Sequence, residues 1–192
     1  PVRVAGKCGA LLSDLVDGVR WAAGLPVTDV PTNNFPARVI NLSFGGSASC
    51  SSTPLYQQMV DDVTNANALL VVAGGNDDGP VTRPADCAGV MAVGAVRRDG
   101  AKAWYSNFGS QIALAAPGGS DRDGPAADHL IRSTDNPGST TAISYTGMSD
   151  VSAYGYKQGT SFSAPQAAGV ASLMLDINPH LTPAALIDRM KK

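Results

Sequence analysis

Gly159-Thr160-Ser161-Phe162-Ser163-Ala164-Pro165 is followed at once by a small, apolar run from Gln166 to Leu175. The Gly-Thr pair suits a tight turn, and the run behind it predicts a buried helix. Ser161 then falls at the joint where the helix begins. Backbone N–H groups at that end lack partners within the helix, and the helix dipole is positive there. A hydroxyl at such a point has two readings. It caps the helix, as serines before apolar runs commonly do, or it attacks a carbonyl whose developing charge the nearby donors stabilise. The segment alone leaves both open.

Working outward, the 192 residues are 44% hydrophobic and 16% charged, enough apolar material for one substantial core and a single domain over residues 1–192. A net charge of −2 gives no reason to expect nucleic acid or an anionic membrane as a partner. The longest apolar run, Ala68 to Ala73, is far too short to cross a bilayer. The opening Pro1-Val2-Arg3-Val4-Ala5 reads as the middle of a strand, so the chain is expected to continue upstream. Of three cysteines, Cys50 and Cys87 lie in Gly/Ser-rich and polar loops of the kind where extracellular domains place a bridge, and Cys8 is left over. Three free thiols are the alternative. There is no Cys-x-x-Cys to suggest zinc.

Extended and helical segments alternate. Strands are expected at Val2 to Lys7, Arg38 to Ser43, Ala68 to Ala73, Val90 to Val96 and Ile112 to Ala116. Ser13 is a candidate N-cap for a helix from Asp14 to Ala23, with Leu15, Val16, Val19, Ala22 and Ala23 on one face. A helix from Pro54 to Asn67 turns Leu55, Met59 and Val63 inward and Gln57, Gln58, Asp61 and Asp62 outward. Ser120 to Gln158 is polar and reads as a long loop or irregular hairpin. Thr182-Pro183 signals a last helix, Ala184 to Met190. Apolar strands with helices between them predict an α/β fold: three layers, a mostly parallel sheet with helices on both faces. Ligands bind at the carboxyl ends of such strands. Two of those ends carry glycine pairs, Phe44-Gly45-Gly46 and Gly74-Gly75-Asn76. Singly, each pair is a tight turn.

Taken together and in order, Asn41-Leu42-Ser43-Phe44-Gly45-Gly46, Val72-Ala73-Gly74-Gly75-Asn76 and Gly159 to Pro165 resemble the subtilisin-like serine proteases. The resemblance covers essentially the whole chain. It implies that Ser161 is the acylating nucleophile and that Asn76 and the Ser161 backbone N–H form the oxyanion hole. It also implies that Ser43-Phe44-Gly45 and Ala73-Gly74-Gly75 wall the pocket for the residue before the cut, the first also pairing with the substrate backbone. An extended peptide added to a main-chain edge gains affinity with little side-chain selectivity. The cysteine-bearing loops look most like the secreted bacterial members, implying an extracellular protein with a Cys50–Cys87 bridge.

One departure is large. A triad on this fold runs in chain order Asp, His, Ser, yet neither the Asp motif nor a His-Gly-Thr-His type segment precedes Ser161. His129, beside Asp128, reads as a solvated loop histidine and not as a substitute base, and His180 sits between the last two helices. The expectation is a C-terminal part of a catalytic domain, lacking its N-terminal strands. Its partners are protein or peptide substrates and the N-terminal segment that carries Asp, His and a mate for Cys8. No cofactor is expected in catalysis. The family often carries structural Ca²⁺, but Asp77-Asp78 and Asp121-Arg122-Asp123-Gly124 match no established calcium loop and read as solvated turns. A non-catalytic homologue binding peptides in the same groove is the alternative function.

Overall fold

A computed structural model describes residues 1–6, 9–136, 138, 141 and 154–192, with backbone alone at 126 and 127. Four apolar segments, β1 (Val39–Leu42), β2 (Leu69–Ala73), β3 (Met91–Val96) and β4 (Ile112–Pro117), form one sheet in that spatial order. All its ladders are parallel. Each matches an expected strand to within a residue at either end. Around them stand α1 (Leu12–Ala22), α2 (Pro54–Asn65), the short α3 (Ala126–His129), α4 (Thr160–Ile177) and α5 (Pro183–Met190).

Strand side chains alternate between two faces, and here both faces are covered. Ile40, Leu42, Leu70, Val72 and Ala92 pack with Leu15, Val16 and Val19 of α1 and Met59, Val60 and Val63 of α2. Leu69, Val71, Met91 and Val93 pack on the other side with Ala164, Ala167 and Ala171 of α4 and Leu186 of α5. This is the expected three-layer architecture. Small residues along α4 let it lie close across the sheet, and Thr182 Oγ1 caps α5 by accepting from the Ala185 N–H.

Several local expectations are corrected. Val2 to Ala5 form no strand, and Gly6 makes only an isolated bridge to Gly9. A ladder needs a neighbour, and none lies beside this segment among the described residues. Helix α1 begins at Leu12, with Leu11 at the N-cap. Leu12 packs on the core, and the Ser13 hydroxyl reaches Asp14 instead of capping. In α2 the buried stripe is Tyr56, Met59, Val60 and Val63, while Leu55 is exposed. Gln57 is not a free outward residue: its amide donates to the Ala88 carbonyl and accepts from the Ala88 N–H. Asp62 is likewise paired, with Arg20 of α1. Helix α4 is buried on one face only, since Val170, Leu173 and Ile177 are exposed. The polar stretch from Ser120 contains α3 and an antiparallel hairpin of β5 (Ile131–Thr134) and β6 (Tyr154–Lys157).

Cys50 and Cys87 are joined in a disulfide, excluding three free thiols. Cys8 lies outside the described residues. The bridge ties the loop after β1, at the 3₁₀ turn Cys50–Ser52, to the loop before β3. Its cysteines are 37 residues apart in sequence, so it removes much freedom from the unfolded chain. Replacing both cysteines by serine is expected to lower the free energy of unfolding by about 2–4 kcal/mol. Urea titration of the variant against the parent protein measures the difference.

Candidate active site

The carboxyl ends of β1 and β2 and the start of α4 meet at one edge of the sheet. Gly159 is the N-cap of α4 with φ 139° and ψ 155°, a conformation open to glycine and strained for any other residue. Helix α4 therefore starts at Thr160, and Ser161 sits in its first turn. The capping role is thus overturned: Ser161 lies past the N-cap, which is Gly159. Among the described residues nothing bonds the Ser161 hydroxyl, and the residue is half-buried. Pro165 lies four residues on and has no N–H to give the Ser161 carbonyl. The Ser43 hydroxyl fills that vacancy, donating to the Ser161 carbonyl at 3.0 Å.

Asn76 follows β2 and faces the same point. Its side-chain oxygen accepts from the Thr160 backbone N–H at 2.8 Å and from the Thr160 hydroxyl at 3.0 Å. A backbone N–H cannot bond an amide NH₂, so this pairing dictates the amide's orientation, with Oδ1 on Thr160. The Thr160 hydroxyl also accepts from the Gly75 N–H at 3.1 Å. Thr160 is wholly buried, so its three bonds join the end of β2 to the start of α4 out of reach of water.

The residues singled out in the sequence come together here. Ser43, Phe44, Gly45, Ala73, Gly74, Gly75, Asn76 and Ser161 all line one cleft of about 290 Å³. Thr82 and Arg83 also line it. Sequence reading left this part of the pocket blank. The Arg83 guanidinium is held by Thr53 and lies 5.5 Å from the centre of the Tyr56 ring.

Reading by motif also missed the buried segment Tyr105-Ser106-Asn107, which is 1–3% exposed. The Tyr105 hydroxyl accepts from the Gly159 N–H at 2.9 Å and faces the Gly118 and Gly119 carbonyls at 2.7 and 2.9 Å. The Asn107 side-chain oxygen accepts from the Asp77 N–H at 2.8 Å. Nothing in a polar stretch between two strands signals such contacts, because the partners are distant in sequence.

His129 ends α3 and lines a separate cleft with Arg97, Arg98, Asp99 and Asp123. It is not in the Ser161 cleft. His180 is exposed between α4 and α5. Three of the four carboxylates in the two acidic loops have partners. Asp78 pairs with Lys102, Asp123 with Arg97, and Asp121 accepts from the Trp104 indole N–H. Among the described residues the one group of three metal-ligating types within reach is Cys50, Asp86 and Cys87, and its sulfurs are bonded to each other.

The sequence pattern of the subtilase family matches residues 1–192. The chain belongs to the subtilase family. It is 43% identical, over all of its own length, to the extracellular protease of Xanthomonas campestris pv. campestris, and covers 30% of that protein. It is 40% identical to the extracellular basic protease of Dichelobacter nodosus, with 98% of this chain and 29% of that one aligned. Among solved structures, a protease of Pseudoalteromonas arctica superposes with a TM-score of 0.89 at 43% identity, covering all of this chain and 54% of the other. A cold-adapted subtilisin-like serine proteinase superposes at 0.71 with 28% identity, covering 97% and 56%. The chain thus spans about a third of the curated relatives and about half of the solved ones.

Two measurements test the polar framework. Thr160→Val leaves the Asn76 oxygen and the Gly75 N–H without their hydroxyl partner, and is expected to cost about 1–3 kcal/mol of unfolding free energy, read by urea titration. Burial pushes the Tyr105 hydroxyl up from 10.0 to about 12. The unfolded chain thus loses this proton first, so the stability it contributes is complete below pH 10 and declines as pH rises toward 12. Tyr105→Phe is expected to flatten that part of the decline, measured as unfolding free energy against pH.

Proposed function

We propose that the complete protein is a secreted serine endopeptidase that cuts protein or peptide substrates through an acyl-enzyme on Ser161. The observation that supports this most is the pairing of Asn76 Oδ1 with Thr160, which leaves the amide N–H₂ as the donor of a residue lining the same cleft as a serine hydroxyl that nothing bonds among the described residues. In this reading Ser43-Phe44-Gly45 pairs with the substrate backbone, and Ala73-Gly74-Gly75 walls the other side of the pocket. Ser161 Oγ attacks the scissile carbonyl carbon while its proton passes to a histidine. Asn76 Nδ2 and the Ser161 N–H donate to the oxyanion of the tetrahedral intermediate. The C–N bond then breaks, the histidine protonates the leaving amine, and water releases the acyl group by the reverse steps.

The histidine and its aspartate come, in this proposal, from an N-terminal segment of the same catalytic domain. Two features support that partner. The outer edge of β1 pairs with no strand among the described residues, in a sheet otherwise parallel throughout. Val170, Leu173 and Ile177 form an apolar stripe on α4 that is 48%, 67% and 86% exposed, the spacing of one helix face. A further chain segment seated across that edge and stripe would cover both. The chemistry uses side chains and backbone N–H groups, and a family calcium ion is given no ligands here.

A phosphonyl fluoride is expected to label Ser161 in the complete catalytic domain, and to label neither its Ser161→Ala variant nor the isolated 192-residue chain, which lacks a base. The isolated chain is likewise expected to leave a chromogenic peptide uncut. Absence of labelling in the complete domain would favour a peptide-binding homologue without catalysis. Substituting Asn76 by Ala should lower kcat by roughly 10²- to 10³-fold, the range subtilisin itself set for losing one oxyanion-hole donor.

A further inference from the structure

An oxyanion hole works only if its two donors stand at a set separation before the charge develops. Here those donors, Asn76 Nδ2 and the Ser161 N–H, belong to separate elements, the loop after β2 and the first turn of α4. A third element touches the backbone on both. Asn107 clasps Asn76 from either side: its own N–H donates to the Gly75 carbonyl at 3.0 Å, and its side-chain oxygen accepts from Asp77 and Gly79 at 2.8 and 3.3 Å. The Tyr105 carbonyl adds a bond from the Asp78 N–H at 2.8 Å. Two residues from Asn107, the Tyr105 hydroxyl takes the N–H of Gly159, immediately before the turn that carries Thr160 and Ser161.

We infer that Tyr105 and Asn107 form one buried brace that sets the distance between the two donors of the oxyanion hole. They are positioning residues: neither lines the cleft with Asn76 and Ser161. Burial is what lets them act this way, because at 3% and 2% exposure their hydrogen bonds do not exchange with water. The packing is close enough to leave no slack. A Cβ built on Gly75, whose φ is +105°, would stand 2.1 Å from Asn107 Nδ2, so the loop before Asn76 is seated directly on the Asn107 amide. The inference rests on the proposed roles of Asn76 and Ser161.

The brace is absent from ground-state binding, so its loss should fall on kcat and spare KM. The test is a double-mutant cycle in the complete catalytic domain, with Asn107→Ala and Asn76→Ala singly and together, and peptide hydrolysis resolved into kcat and KM. Asn107→Ala is expected to lower kcat about 10-fold or more, as small misplacements of catalytic groups do, with KM within about twofold. In the Asn76→Ala background the same change should lose most of its effect on kcat, since the side-chain donor that Asn107 positions is gone and only the Ser161 N–H is left. Tyr105→Phe, which keeps the ring and removes only the hydroxyl, should lower kcat in the same way and is the variant to use if Asn107→Ala does not fold. Thermal unfolding identifies the folded variants. Equal fold-losses with and without Asn76, or a loss carried by KM, would overturn the brace. An Asn76→Ala variant with unchanged kcat would instead overturn the oxyanion reading beneath it.

Discussion

Thr160 stands between two parts of the chain that share nothing locally, and its bonds to Asn76 and Gly75 are what make them one site. The partners are more than eighty residues apart in sequence. Each of those bonds is modest by itself, but none is in contact with water, and a polar group left unpaired at that depth costs more than the bond contributes. The end of β2 and the start of α4 are therefore held in a single relative position. Asn76 inherits its amide orientation from that contact. Ser161 inherits its place in the first turn from the same residue, together with the constrained glycine before it.

Around this contact the chain arranges supports of a different physical kind. The sheet supplies rigidity, since Leu69 to Val72 are buried on both faces and cannot shift without opening the core. Proline at position 165 removes one helical hydrogen bond, and the freed Ser161 carbonyl is taken by Ser43. The wall of the cleft that follows β1 is thereby tied to the turn bearing the serine. The disulfide joins the further ends of the two cleft loops, where the sheet no longer reaches. Beneath them, Tyr105 and Asn107 carry the loop after β2 and the residue before Thr160 on one short segment.

The exposed stripe on α4 and the open edge of β1 follow from the same physics. A strand forms where a neighbour satisfies its N–H and C=O groups, and a helix is stable when its apolar face is covered. Val2 to Ala5 carry a strand-like pattern but have no neighbour to pair with among the described residues, so they stay irregular. The surfaces that remain uncovered are where the proposed partner segment would seat, giving the β1 edge a neighbour and the α4 stripe a cover.

The parallel sheet and its two helical layers were legible in the sequence because hydrophobic alternation and run length are local properties: RVINLS and ALLVVA state their burial directly. The motifs around Ser43, Asn76 and Ser161 were legible for the same reason, each being a short contiguous string. Local pattern misjudged details that depend on neighbours. Ser13 looked like a cap until Leu12 was drawn into the core, and Leu55 looked internal until Tyr56 and Val60 took its face. The sequence by itself determined the four strands of the parallel sheet, the four longer helices and the three strings at their ends. Only the tertiary structure decided that Thr160 orients Asn76, that Ser43 replaces a helix bond, and that Tyr105 and Asn107 lie beneath both. Those contacts join residues tens of positions apart, and nothing in a local pattern records a distance across the fold.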